Sequence, residues 1–369
     1  MAVTQPPFRA DHVGSLLRPP ALVTARADHA AGRLDAAGLK AVEDREIERI
    51  VAEQEYIGLK AVTDGEFRRA WWHLDFLAGF AGAEMVDLEQ GVQFQGTKTR
   101  AQGVRVTGKL GFDGHHPMLA HFRFLAGHTT RLPKMTIPSP SALYARQGRA
   151  MISQSAYPDL DAFFADLADV YRKAVRAFAD AGCRYLQLDE VYMAMWCDPR
   201  HREMLRARGD DPDRMLALYA ELLNAAMADI PAGMTITMHL CRGNFRSTFM
   251  GTGGYEPIAA TLFDKVRVHG YFMEYDSERA GGFEPLRFLH ADRRVVLGLV
   301  TTKSGALETK DEIKRRIEQA AAVVPLERLC LSPQCGFAST EEGNLLTEEE
   351  QWAKLRFVVD VAREVWGEL

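Results

Sequence analysis

Eight short apolar runs, at 10–13, 59–63, 134–137, 185–189, 235–239, 270–275, 295–300 and 328–331, are separated mostly by longer amphipathic stretches. Runs of that length are strands, and the stretches between them carry the period of helices. The repeated strand-then-helix order predicts an α/β chain, a (β/α)8 TIM barrel, rather than a sandwich or a helix bundle. In the stretch 39–57, Leu39, Val42, Ile47, Ile50 and Val51 lie near one face, and Gly58 supplies the stop. Comparable helical signals cover 160–181, 212–229, 307–323 and 347–366. The gap between Thr63 and Lys134 is too long for one helix, and the alternating segment 103–111 reads as one strand of a hairpin. The expectation is one domain over 1–369 with an inserted hairpin region, approximately 78–130, after the second strand.

At 369 residues and 47% hydrophobic content, the chain can bury the core of one large barrel. Its formal net charge of −5 leaves no basic footprint for nucleic acid, and no apolar run approaches the roughly 20 residues needed to span a bilayer. The first ten residues lack an apolar signal core, and five thinly spread cysteines do not make a disulfide framework. A cytoplasmic protein with free thiols is the expectation.

In a barrel of this kind the chemistry sits on the loops that follow the strands. The reactive side chains fall there: Ser15 after the first run, Asp64 and Glu66 after the second, Ser139 after the third, Asp189 and Glu190 at the fourth, His239 and Cys241 at the fifth, Glu274 at the sixth, Lys303 after the seventh and Cys335 after the eighth. Imidazole and thiolate brought together from different strand ends suit zinc, with a carboxylate as a possible fourth ligand. Cys241 and Cys335 stand ~94 residues apart, far beyond zinc-finger spacing, which points to a site assembled by the scaffold. Glu274 is the candidate carboxylate, with Asp276 and Glu278 as neighbours that could take its place. Cys183, Cys197 and Cys330 read as packed core thiols.

His239-Leu-Cys241, Glu274 and Cys335-Gly336 together resemble the zinc motif of the cobalamin-independent methionine synthase family. Val13-Gly-Ser15, Thr63-Asp-Gly-Glu-Phe67 and Leu186-Gln-Leu-Asp-Glu190 resemble that family's first, second and fourth strand ends. The likeness spans nearly the whole chain and corresponds to the catalytic barrel alone, as in short single-barrel members. It implies a zinc-dependent methyltransferase that passes a methyl group to a zinc-held thiolate, homocysteine giving methionine, with 5-methyltetrahydrofolate or another molecule as donor. It implies His239, Cys241, Glu274 and Cys335 as zinc ligands, Glu66 and Asp189 as partners of the substrate ammonium, and Ser15 as a partner of its carboxylate. The family's strand-seven histidine acid is missing from 298–305, where Lys303 is the candidate proton donor.

Other readings stay open on the residues. An alkyltransferase acting on another thiol, like the epoxyalkane coenzyme M transferases, shares this zinc-thiolate logic, and a non-catalytic zinc- or thiol-binding barrel needs no donor. The stretch Phe67, Trp71, Trp72, His73 and Phe76 could stack a planar ligand or pack the core. His115, His116 and His121 read as a surface loop, and Arg246, Tyr255 and Arg279 as candidates to meet a substrate anion.

Overall fold

The structure is a computed structural model that describes residues 4–146 and 148–367. Seven parallel strands, β1 (Ala61–Val62), β2 (Leu132–Pro138), β3 (Tyr185–Asp189), β4 (Thr235–Leu240), β5 (Gly270–Glu274), β6 (Arg294–Val300) and β7 (Leu329–Pro333), pair each with the next in chain order. The barrel closes through the segment around residues 9–16. Ala10 bridges Leu331 in parallel, Asp11 N–H donates to Leu331 O at 3.1 Å, and on the far side Leu16 N–H donates to Gly65 O at 3.0 Å. The first predicted run, 10–13, thus fills its place in the barrel as one bridge rather than a full ladder. It is a connector because its polar residues turn inward: Asp11 takes Lys134 Nζ at 3.1 Å and the Tyr185 hydroxyl at 2.7 Å inside the barrel.

The parallel strands are buried on both faces, and their burial is continuous rather than alternating, as helices on the outside require. Helices Leu160–Asp180 and Lys310–Ala321 begin at side-chain caps from Asp159 and Thr309, and Glu348–Trp366 at a capping box between Thr347 and Glu350. Helix Ala36–Ile57 ends where Gly58 adopts φ 98°. Helix Pro20–Ala30 has no counterpart among the predicted elements; it buries only Leu22 and Ala25, too few to mark a period.

The region after β1 is a hairpin followed by a helix. Strands Ala81–Asp87 and Gln102–Gly111 pair antiparallel, and a two-residue ribbon, Gln93–Phe94 with Thr97–Lys98, turns at its tip. Helix Pro117–Gly127 then packs on β2 as part of the ordinary outer layer, so the added element is narrower than 78–130. His116 caps that helix by accepting from Met118 N–H at 3.2 Å and is buried, which corrects its reading as a surface residue. Among the described residues no helix is long and apolar enough to cross a membrane.

Candidate functional site

The strand register sets the site. Asp189 on β3 stands opposite His239 on β4, and Gly298 on β6 opposite Glu274 on β5, so the reactive side chains share the carboxyl rim. One ligand atom each from His239, Cys241 and Cys335 lies within 4.8 Å of the others, and all three residues are buried. Cys241 follows β4 directly, and Cys335 follows β7 where Gln334 N–H is tied to Val300 O at 2.8 Å. Neither ring nitrogen of His239 has a hydrogen-bond partner. Buried polar atoms left in that state cost free energy unless a ligand or ion meets them. Two sulfurs and an imidazole with free nitrogens are the donor set that a zinc ion takes, so the residues present fit that group.

The protons in the cluster are shared unevenly. The neighbouring Cys241 thiol and the charge of His239 drive the Cys335 thiol well below its ordinary range against the cost of burial. Cys241 is driven well above, by Cys335 beside it and by burial. Burial opposes charge on His239, but Cys335, Asp189 and Glu274 prevail and raise its pKa.

Glu274 stands beside the trio and outside the set whose ligand atoms meet within 4.8 Å. Its Oε2 accepts from Arg242 N–H at 2.6 Å, and its Oε1 accepts from Arg279 and from Lys303 Nζ at 3.2 Å. Burial would raise its carboxyl, yet Lys303, Arg279 and Arg242 hold it at about 2. Lys303 also donates to Asp276 Oδ2 at 2.9 Å. Burial disfavours its charge, but Glu274 and Asp276 overcome that and raise its pKa, and the residue does not line the cavity described next. A lysine held in that way gives up its proton less readily than a free one, so the geometry argues against the acid role. Arg279 and Tyr255 are likewise committed: the tyrosine hydroxyl donates to Leu240 O at 2.8 Å and accepts from Glu274 N–H at 2.9 Å.

A narrow cavity opens over the cluster, with Ser15, Glu66, Asp189, His239, Cys241 and Cys335 in its wall. Glu66 is held in a left-handed backbone conformation, φ 61°, by Asp64 Oδ1, which accepts its N–H at 2.9 Å, and by Arg18, which donates to its carbonyl at 2.7 Å. Such a conformation persists only where neighbours over-determine it, and it marks functional positions. Glu66 Oε1 accepts from Thr136 Oγ1 at 2.8 Å, while the buried Oε2 has no hydrogen-bond partner and lies 3.4 Å from Arg69 Nη1. Burial raises the pKa of Glu66 despite Arg69. Asp189 is pushed up to about 7 by burial and by the charge of Glu66, against the pull of His239. Two buried acids with so little counter-charge make a natural seat for a cation. Ser15 Oγ accepts from Ala338 N–H at 3.3 Å, which leaves its own hydrogen free to donate into the cavity.

The opposite wall is apolar and partly supplied by the insertion. Trp72 stacks on His73 with ring centroids 4.2 Å apart, and Trp71, Trp72 and His73 all line the cavity, whereas Phe67 and Phe76 are core residues. Phe94, from the small ribbon, packs on Phe245 at 5.4 Å between centroids. A wider cleft continues outward past Phe94, Arg146, Tyr192 and Met250, which line both spaces. Arg18, Asn244 and Asn344 are site residues that sequence reasoning missed; each acts through bonds to distant backbone, which no period or spacing announces.

Comparison with known proteins bears on the family and the fold. The chain is 52% identical to the uncharacterized protein YxjH of Bacillus subtilis, over 98% of this chain and 95% of that one. A Listeria monocytogenes structure described as a candidate vitamin-B12 independent methionine synthase superposes with TM-score 0.81 at 40% identity, covering 99% of this chain and 100% of that one. A B12-independent methionine synthase from Shewanella sp. W3-18-1, in complex with selenomethionine, shares the fold with TM-score 0.71 at 16% identity, covering 97% of each chain. The model of the cobalamin-independent synthase catalytic domain matches residues 8–364, and the chain belongs to that family of methionine synthase-like methyltransferases.

Proposed function

We propose that the protein is a zinc-dependent methyltransferase that methylates a small amino-acid thiol, with homocysteine as acceptor and methionine as product. The observation that carries this reading is one cavity with a His239–Cys241–Cys335 donor set on one side and the under-neutralised pair Glu66 and Asp189 on another. Zinc held by those three residues, with Glu274 as its candidate fourth partner, would supply the positive charge that keeps an acceptor thiol deprotonated near neutral pH. Glu66 and Asp189 receive the acceptor's ammonium, whose charge relieves the repulsion between them. Ser15 donates to its carboxylate, and the Trp72 and Phe94 wall excludes water from the reacting sulfur. The methyl group leaves its donor without the bonding electrons, which stay with the donor atom, and a sulfur lone pair forms the new bond. The wider cleft past Arg146 and Tyr192 is the approach for the donor, 5-methyltetrahydrofolate or another methyl compound.

The acidic cavity wall disfavours the coenzyme M-like alternative, because a sulfonate would face Glu66 and Asp189 rather than a cation. The test is product analysis by mass spectrometry after incubation of zinc-loaded protein with homocysteine and candidate methyl donors. Methionine formation that disappears in Cys241→Ser, with the barrel still folded, is the expected result. Zinc and thiol binding without transfer from any donor would instead support a binding barrel.

A further inference from the structure

We infer that Asn344 is a positioning residue for the metal-ligand cluster, acting through Asn244 to set the separation of Cys241 from Cys335. This inference rests on the reading of His239, Cys241 and Cys335 as a zinc site. The two cysteines arrive on loops from non-adjacent strands, β4 and β7, so nothing in the sheet ladder fixes one sulfur against the other. A buried hydrogen-bond network does so instead. Asn244, three residues beyond Cys241, donates through Nδ2 to the carbonyl of Gly336, the residue after Cys335, at 2.8 Å. Thr302, from the loop after β6, donates to the same carbonyl at 3.1 Å.

Asn344 binds this pair from behind. Its Nδ2 donates to Asn244 Oδ1 at 3.0 Å and to Thr302 O at 2.8 Å, and its Oδ1 accepts from Ser247 N–H at 2.9 Å. The amide oxygen and nitrogen of both asparagines are therefore paired, and both side chains are buried. A fully satisfied buried network of this kind holds one geometry, because every alternative leaves a polar group unpaired. It spans the loops after β4, β6 and β7 without touching an imidazole or a sulfur. It acts on the ligands through the backbone beside Cys335, and loss of groups that orient metal ligands commonly weakens metal affinity about 10- to 100-fold.

The experiment measures zinc affinity by chelator competition and the ligand-field spectrum of the cobalt-substituted protein, for wild type, Asn344→Leu and Asn244→Ala. Each variant is expected to bind zinc about 10- to 100-fold more weakly and to shift the cobalt bands. A purely structural role would lower the melting temperature of metal-free protein and leave affinity and spectrum unchanged. A folded variant of either kind with wild-type affinity and spectrum overturns the inference, and Asn244→Ala decides the matter if Asn344→Leu does not fold. Failure of wild type itself to bind zinc would instead remove the zinc reading, so the two failures are distinguishable.

Discussion

Lys303 donates to Glu274 Oε1 at 3.2 Å, behind the thiol cluster and away from the cavity wall, so the candidate acid and the candidate carboxylate ligand are partners. With Arg279 and Arg242 N–H on the same carboxylate, Glu274 keeps its charge at every pH near neutral. Lys303→Met removes one of those partners and leaves Asp276 without its closest cation. Breaking a buried pair costs several kcal/mol, and the remaining arginine reduces this to about 2 kcal/mol of folding stability. Urea unfolding measures that loss. In transfer assays the variant is expected to slow reactions of a tertiary-amine donor and of a donor with a better leaving group by the same factor. Selective loss with the amine would restore Lys303 as the acid.

On the proposed function, Asp189 and Glu66 share the acceptor's ammonium. Asp189→Asn keeps the shape and removes one charge, and charge-assisted hydrogen bonds contribute about 1.5–3 kcal/mol, or roughly 10- to 100-fold. The KM for homocysteine is expected to rise by that factor while the KM for 2-mercaptoethanol, which has no ammonium, changes little. Equal increases for both thiols would mean that Asp189 shapes the cavity without binding the amine.

His12 gives the protein an acid-side limit that does not involve the site. Burial, aided by Lys134, lowers its pKa from 6.5 to about 4. Between those values the unfolded chain binds a proton at this position and the native chain does not. Stability is therefore complete above pH 6.5 and falls as the pH drops toward 4, by about 1.4 kcal/mol per pH unit for one proton. Unfolding free energies at pH 7 and pH 5 should differ less in His12→Asn than in wild type, and an unchanged difference would assign the acid sensitivity elsewhere. His73, lowered to about 3 by burial, then by Arg146, adds to the slope in both proteins.

Much of this was legible in the sequence because barrel physics links period to position. Strands buried on both faces leave plain apolar runs, and the rim rule then places His239, Cys241 and Cys335 together whatever their separation in the chain. The weakest run, 10–13, misled because Asp11 turns inward to a buried lysine, so a single bridge replaced a ladder. Glu274 could be placed at the rim but not paired, since Arg279 and Lys303 approach it from loops whose paths follow no pattern. Asn344 is invisible for the same reason: an asparagine in a loop reads as a turn, and only the fold shows its amide reaching Asn244 and Thr302.

Gly336 offers the sharpest test of how closely the first segment and the Cys335 loop must approach. A Cβ built there would lie 1.9 Å from Ser15 Oγ and 3.2 Å from Ser15 N, with backbone on one side of the contact. Phe337 N–H also donates to Ser15 O at 2.9 Å, so the loop cannot retreat without losing that bond. Serine can rotate its hydroxyl, but the backbone nitrogen cannot move independently of the barrel closure at Ala10 and Leu331. Gly336→Ala should therefore displace the Cys335 loop rather than unfold the barrel. The expected outcome is weakened zinc binding, roughly 10-fold or more on the scale of disturbed ligand positioning, with far-ultraviolet circular dichroism unchanged. Ser15→Gly in the same chain removes the nearer clash and should recover part of the affinity. No recovery in the double variant would show that the tight contact with the serine side chain is not what the alanine disturbs.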